Sequence, residues 1–264
     1  MQYLPRKLLL GLGLVVLAAC ATSPAGRSQF ILVSESDMDR MGATAFMQIK
    51  GSGKLANDPA RIRYVNCVTQ ALVAQLPEPS RRLGWEVALI ADDTPNAFAL
   101  PGGKLGVNTG LLKVATTQDQ LAAVIGHELG HVVSRHAAER VSQQFATQTA
   151  MQVINSATGG ERQQLLGLLG AGVQAGVVLP FSRLHESEAD VLGQRYMASA
   201  GFDPSAAATL WENMIRYGGG ARVPAFLSTH PDPQQRIRAL AAAAPGLMPV
   251  YEQARSAGRR PNCR

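Results

Sequence analysis

The sequence predicts a helix-rich α+β domain with one small β-sheet. Three observations carry this reading. Aromatic residues make up only 5% of the chain while alanine is abundant, a composition that favours helices. Beyond residue 34 the chain breaks, one segment after another, into amphipathic stretches opened by helix caps. Strand-like runs are confined to residues 85–110, where a Pro-Gly-Gly turn separates two of them. At 264 residues and 46% hydrophobic content the chain can bury one sizeable core, and neither repeats nor a second domain are visible.

The N-terminus, MQYLPRKLLLGLGLVVLAAC, has a short basic region and then an apolar run from Leu8 to Ala19. That run is too short for a comfortable membrane span and fits an export signal. Its end, LAAC, resembles the bacterial lipobox, which implies cleavage before Cys20 and lipidation of that cysteine. Ordinary cleavage after Ala21 is the alternative. Residues 1–19 are therefore expected to be a lipoprotein signal peptide, 20–33 a flexible lipidated tether and 34–264 the folded domain. Alanine at position 21 implies, by the same resemblance, an outer-membrane lipoprotein of the cell envelope that faces the periplasm.

Within the domain, ESDMDRMGATAFMQIK reads as a helix and DPARIRYVNCVTQALVAQL as a second, with Asp58 as cap and Pro59 in its first turn. WEVALIA is a strand, and NAFALPGGKLGVNTG a strand, a turn and a strand. TTQDQLAAVIGHELGHVVSRHAAERV reads as one long helix, opened by a capping box of Thr117 and Gln120. Leu121, Val124, Ile125, Leu129, Val132 and Val133 give it the wide apolar face of a buried helix. Two helical stretches fill residues 141–179, the second apolar and glycine-rich. SRLHESEADVLGQRYMASAG, DPSAAATLWENMIRYG and DPQQRIRALAAAA complete the helices, with Asp232 capping the last one at Pro233.

The formal charge of +6 falls to +4 once Arg6 and Lys7 leave with the signal. Without long basic runs or basic-aromatic interleaving, nucleic acid is not a partner. Setting Cys20 aside, Cys67 and Cys263 form an even pair for an oxidising compartment, and a disulfide tying the tail to an early helix is expected. Two free thiols are the alternative.

The long helix carries HELGH. Four residues turn a helix by about 400°, so His127 and His131 project from nearly one face, one turn apart. Imidazoles so placed can share one zinc ion. Glu128, about 100° round, is off that face but near enough to reach a water on the metal. His136 lies about 900° from His127, on the opposite side, and is expected either to be structural or to support a metal ligand from behind, with a carboxylate as its partner. A third ligand must come from elsewhere. HESEAD offers Glu186 and Asp190 on one helical face, with Glu188 about 200° from Glu186. A ligand plus a carboxylate that orients a ligand histidine would explain the Glu186/Asp190 pair; an ordinary solvated acidic face is the alternative.

Four linked stretches, NAFALPGGKLGVNTGLL, HELGHVVSRHAAER, LPFSRLHESEAD and LSTHPDPQQRI, resemble the HtpX, BepA and LoiP group of zinc metallopeptidases, in order and from about residue 96 to 240. The resemblance implies a mostly helical, zincin-like metalloprotease domain whose small sheet lies beside the active-site cleft. It implies one Zn²⁺ per chain held by His127, His131 and Glu186, with Asp190 in support and Glu128 as catalytic base. Asn96, Ala97 and Phe98 become the strand that binds an extended peptide. His230 resembles a regulatory fourth ligand.

The implied activity is an endopeptidase that degrades misfolded or unassembled envelope proteins. Its partners would be those substrates, the membrane through the lipid, and outer-membrane assembly machinery. The alternatives are a chaperone-like assembly factor with little proteolysis, and a metallohydrolase acting on a non-peptide substrate. No TPR domain is expected after the last helix.

Overall fold

The computed structural model describes residues 20–157, 182–218, 225–230 and 232–264. β1 (Cys20–Thr22) and β2 (Ser28–Phe30) pair antiparallel. A folded hairpin thus stands where a flexible tether is expected from sequence. Its anchors are polar, which is why no apolar periodicity announces it. Gln29 is buried and its Nε2 donates to the Ser134 carbonyl at 2.7 Å, while Arg27 pairs with Glu139 at 2.6 Å.

α1 (Glu35–Gly51) starts at Ser34, whose side chain accepts from the Asp37 amide. α2 (Pro59–Val73) starts at Asp58, which accepts from the Arg61 amide at 3.0 Å. β3 (Glu86–Ile90), β4 (Ala97–Leu100) and β5 (Lys104–Asn108) form one sheet in the order β3-β5-β4. β5 is central, parallel to β3 and antiparallel to β4. The turn between β4 and β5 holds Gly102 and Gly103 at φ 75° and 76°, a conformation that only glycine adopts cheaply at two successive positions. The Phe98 ring covers Gly106, where a side chain would have no room.

The expected long helix is two helices. α3 (Gln118–Val133) is capped by Thr117, which accepts from the Gln120 amide at 3.2 Å, while Gln120 Oε1 accepts from the Thr116 amide at 2.8 Å. α3 ends before Arg135, which sits at φ 54°, and α4 (His136–Ala157) begins immediately after. Tertiary partners offset this left-handed residue. Gln29 takes the Ser134 carbonyl and Arg135 Nε lies 3.2 Å from Glu35 Oε1. The second, glycine-rich stretch expected before residue 180 lies outside the described residues.

α5 (Arg183–Ala200) is capped by Ser182 and stopped by Gly201. α6 (Ala206–Gly218) follows; Asp203 forms a side-chain turn with the Ser205 amide at 2.8 Å instead of opening the helix directly. α7 (Ala225–Thr229) is a short helix, and α8 (Pro233–Ser256) the last. Asp232 precedes α8 at φ 64° without a side-chain capping bond, contrary to the sequence expectation, and pairs with Arg183 at 3.4 Å. α8 also runs through Pro245 and Pro249, further than expected, because its buried face continues from Leu240 and Ala244 to Ala254.

α3 is the axis of the core. Leu121, Ile125 and Leu129 are fully buried against α2, β5, α5 and α6, which contribute Leu72, Leu105, Met197 and Met214. Cys67 and Cys263 are joined in a disulfide that ties the tail to α2. Among the described residues no helix is long and apolar enough to cross a membrane.

Candidate metal centre

The centre begins with a contact between backbones. α3 and α5 cross at Gly126, Gly130, Ala189 and Gly193. A Cβ on Gly193 would lie 2.7 Å from Gly126 C and His127 N, and one on Gly130 would lie 2.8 Å from the Ala189 carbonyl oxygen. Only small residues permit that approach, and it sets His127 and His131 opposite Glu186 and Asp190. His230 arrives at the end of α7.

His127, His131, Glu186 and His230 are all buried, and one ligand atom from each lies within 4.8 Å of the others. His131 Nε2 is 3.0 Å from His127 Nε2 and 3.4 Å from Glu186 Oε1. His230 Nδ1 is 3.1 Å from His127 Nε2 and 3.0 Å from both Glu186 oxygens. Burial pushes His127 far below the usual imidazole range and His131 down to about 3, so both present neutral nitrogens. Burial raises the Glu186 carboxyl, but hydrogen bonds with His131 and His230 outweigh it and hold the group well below the usual carboxylate range. Neutral imidazoles around one ionised carboxylate are what a divalent ion of zinc type needs, so these residues fit a metal.

Glu128 stands beside the cluster. Its Oε2 accepts from the Ala99 amide on β4 at 3.0 Å. Its Oε1 is buried, has no hydrogen-bond partner among the described residues, and lies 3.5 Å from His230 Nε2. Burial pushes this carboxyl up to about 7, which matches it to proton transfer near neutrality. Strand alternation explains which peptide groups face this way. The Asn108 amide donates to the Asn96 carbonyl at 3.0 Å and Phe98 pairs with Gly106, so Asn96 and Phe98 turn their backbones to β5. Ala97 and Ala99 turn theirs outward. Of Asn96, Ala97 and Phe98, only Ala97 therefore turns its peptide groups away from β5, and Ala99, on the same expected strand, carries the amide on Glu128. A cavity of about 340 Å³ beside His131 is lined by Ala99, Pro101, Leu83, Met38 and Val132.

Asp190 Oδ1 lies 2.9 Å from His127 Nδ1, on the far side of that ring. Arg236 on α8, to which the sequence assigns no role, holds this arrangement. Its Nε and Nη2 donate to Asp190 at 2.7 and 2.6 Å, Nη1 lies 2.6 Å from Glu186 Oε2, and the guanidinium stacks 3.7 Å from the Trp211 ring. Its place within THPDPQQRI was the available signal, but four residues of helix beyond a loop give no hint of the fork. The break after α3 brings His136 behind His131, at 2.9 Å between their Nδ1 atoms, and its Nε2 lies 3.2 Å from Glu188 Oε2.

The model of peptidase family M48 matches residues 59–244. The chain belongs to peptidase family M48. The mitochondrial metalloendopeptidase OMA1 of Schizosaccharomyces pombe is 38% identical over 217 residues, 80% of this chain and 62% of that protein. The beta-barrel assembly-enhancing protease of Escherichia coli K12 is 32% identical over 224 residues, 81% of this chain and 45% of that protein. This M48 chain spans less than two-thirds of either relative's length. His127, Glu128, His131, Glu186, Asp190, His230 and Arg236 fall inside the matched span, and Arg27 falls before it.

Proposed function

We propose that this M48 protein is a zinc-dependent endopeptidase of the bacterial cell envelope that degrades misfolded or unassembled envelope proteins. The observation that carries the catalytic part is the position of Glu128, between the buried His127–His131–Glu186–His230 cluster and the outer edge of β4. His127, His131 and Glu186 would hold the ion, with His230 as a fourth ligand and regulatory switch. Bound zinc supplies a Lewis acid for the scissile carbonyl and makes water a better nucleophile. Glu128 takes the proton of the attacking water and returns it to the leaving nitrogen. The outer edge of β4 would bind an extended substrate main chain by strand addition at its half-buried Ala99–Leu100 end, since Ala97 is buried, a mode that reads backbone more than sequence. The neighbouring apolar cavity takes one substrate side chain.

The envelope assignment draws support from three features. Cys20 ends a lipobox-like stretch, the Cys67–Cys263 disulfide suits an oxidising compartment, and one relative is named for β-barrel assembly. The catalytic reading is tested with Glu128→Gln. The variant is expected to keep one zinc per chain by metal analysis while casein cleavage falls by about 10²- to 10⁴-fold. A zinc-replete variant that cuts at the wild-type rate overturns it.

A further inference from the structure

Each α3 histidine is backed by a chain of polar groups that ends on an arginine. Behind His127 the chain is Asp190 and then Arg236. Behind His131 it is longer. His131 Nδ1 lies 2.9 Å from His136 Nδ1, His136 Nε2 lies 3.2 Å from Glu188 Oε2, and Arg27 Nε donates to that same oxygen at 3.1 Å. With His131 Nε2 given to the metal, the proton positions along it follow. His131 turns Nε2 toward Glu186 and His127, so as a ligand it carries its proton on Nδ1. That N–H donates to His136 Nδ1, which must be the bare nitrogen. His136 then carries its own proton on Nε2 and donates it to Glu188.

Arg27 occupies the end of this chain with all the geometry of a clamp. Nη1 and Nη2 donate to the two Glu139 oxygens at 2.7 and 2.6 Å, while Nε holds Glu188. One guanidinium thus bridges α4 to α5. Gln29 adds a bond to Glu139 Oε2 at 2.9 Å, and His185 Nε2 lies 3.1 Å from the same oxygen. His185 also stacks on His136, with ring centroids 4.3 Å apart and planes 24° apart. The rings of His136 and His185 are therefore held from two sides by groups that the β1–β2 hairpin organises.

We propose that Arg27 is a positioning residue of the metal centre: by fixing Glu188 it sets the tautomer and orientation of His136, and through His136 those of His131. The hairpin that begins at Cys20 is then part of the metal site and not a spacer. This rests on the metal reading of the His127–His131–Glu186–His230 cluster. Loss of an outer partner of a metal-bound histidine weakens metal binding by about 10- to 100-fold, and the charged clamp at the end of a two-step chain belongs at the lower end of that range.

The test measures zinc affinity of the full chain by competition with a chromogenic chelator. Arg27→Ala is expected to weaken zinc binding about tenfold. Arg27→Lys, which keeps the charge but not the planar fork, should recover part of it. In a His136→Ala background, Arg27→Ala should cause no further loss, because its route to His131 is already cut. Thermal melts of the zinc-stripped proteins report folding separately. Wild-type zinc affinity in Arg27→Ala overturns the proposal, and so does a loss that simply adds to that of His136→Ala. His127→Ala is the control for the underlying reading. If that variant binds zinc as tightly as wild type, the metal centre itself is misassigned.

Discussion

Arg236 shows how much one side chain can hold at this site. It is buried, contacts both Asp190 oxygens and one Glu186 oxygen, and places its guanidinium carbon 3.7 Å from the centre of the Trp211 ring. Removing it would leave two buried carboxylates without their cation, a change that costs about 3–5 kcal/mol. Lysine cannot replace it, since a single ammonium reaches neither the fork geometry nor the stacking. Arg236→Lys is therefore expected to melt earlier and to bind zinc more weakly than wild type, both read from thermal melts with and without zinc. An unchanged melting temperature would show that the fork adds nothing. Glu139 provides the pH dependence. Burial raises its carboxyl, but hydrogen bonds from Arg27 and Gln29 outweigh it and bring it down to about 2, from an ordinary 4.5. A lowered carboxyl contributes stability that is full above about 4.5 and is lost as pH falls toward 2. In acid unfolding followed by near-UV circular dichroism, Glu139→Gln should lose stability less steeply over that window. Identical slopes would mean the Arg27–Glu139 pair contributes nothing there.

At the scale of elements, the decisive event is the approach of α3 and α5. Gly126 and Gly130 on one helix meet Ala189 and Gly193 on the other at distances that leave no space for a methyl group. The neighbours are backbone atoms, which cannot rotate away. Gly193→Ala is expected to cost about 1–3 kcal/mol in unfolding free energy by overpacking. It should also weaken zinc binding, because pushing the helices apart separates His127 and His131 from Glu186. A chemical-denaturation curve and the chelator assay check the two effects. A destabilised variant with unaltered zinc affinity would show that the ligand set tolerates the shift. The break at Arg135 belongs to the same scale: a straight helix would leave His136 on the face away from His127, and the break carries it to His131.

For the whole molecule, the C-terminal tail and the metal helix are tied together. The Cys263 amide donates to Gln118 Oε1 at 2.9 Å, Gln118 Nε2 donates to the Pro261 carbonyl at 2.9 Å, and the disulfide to Cys67 anchors both to α2. The bridge closes a loop with a sequence separation of 196 residues. Cys67→Ser is expected to cost about 2–5 kcal/mol of stability, read from denaturant unfolding. Zinc affinity should not change, because the tail holds the start of α3 and the ligands sit near its end. A variant that loses zinc in its folded state would contradict that division.

HELGH was legible as metal chemistry because helical periodicity puts His127 and His131 on one face; periodicity left HESEAD open between a ligand pair and a solvated acidic face, and the family resemblance was what assigned Glu186. The caps at Asp58 and Thr117, the Pro-Gly-Gly turn and the even cysteine pair were equally local, since each depends on a few neighbouring residues or on a count. What joins distant segments was not. Arg236, Arg27 and Gln29 are polar residues whose partners lie on other elements, and no periodicity marks them. The same holds for the break after α3, which follows from partners on β2 and α1. Backbone propensity favours a continuous helix there, and only the folded neighbours of Ser134 and Arg135 reverse that preference. Sequence determined which residues could bind a metal; the tertiary contacts decided how each is aimed, because orientation depends on groups that meet only after the chain has folded.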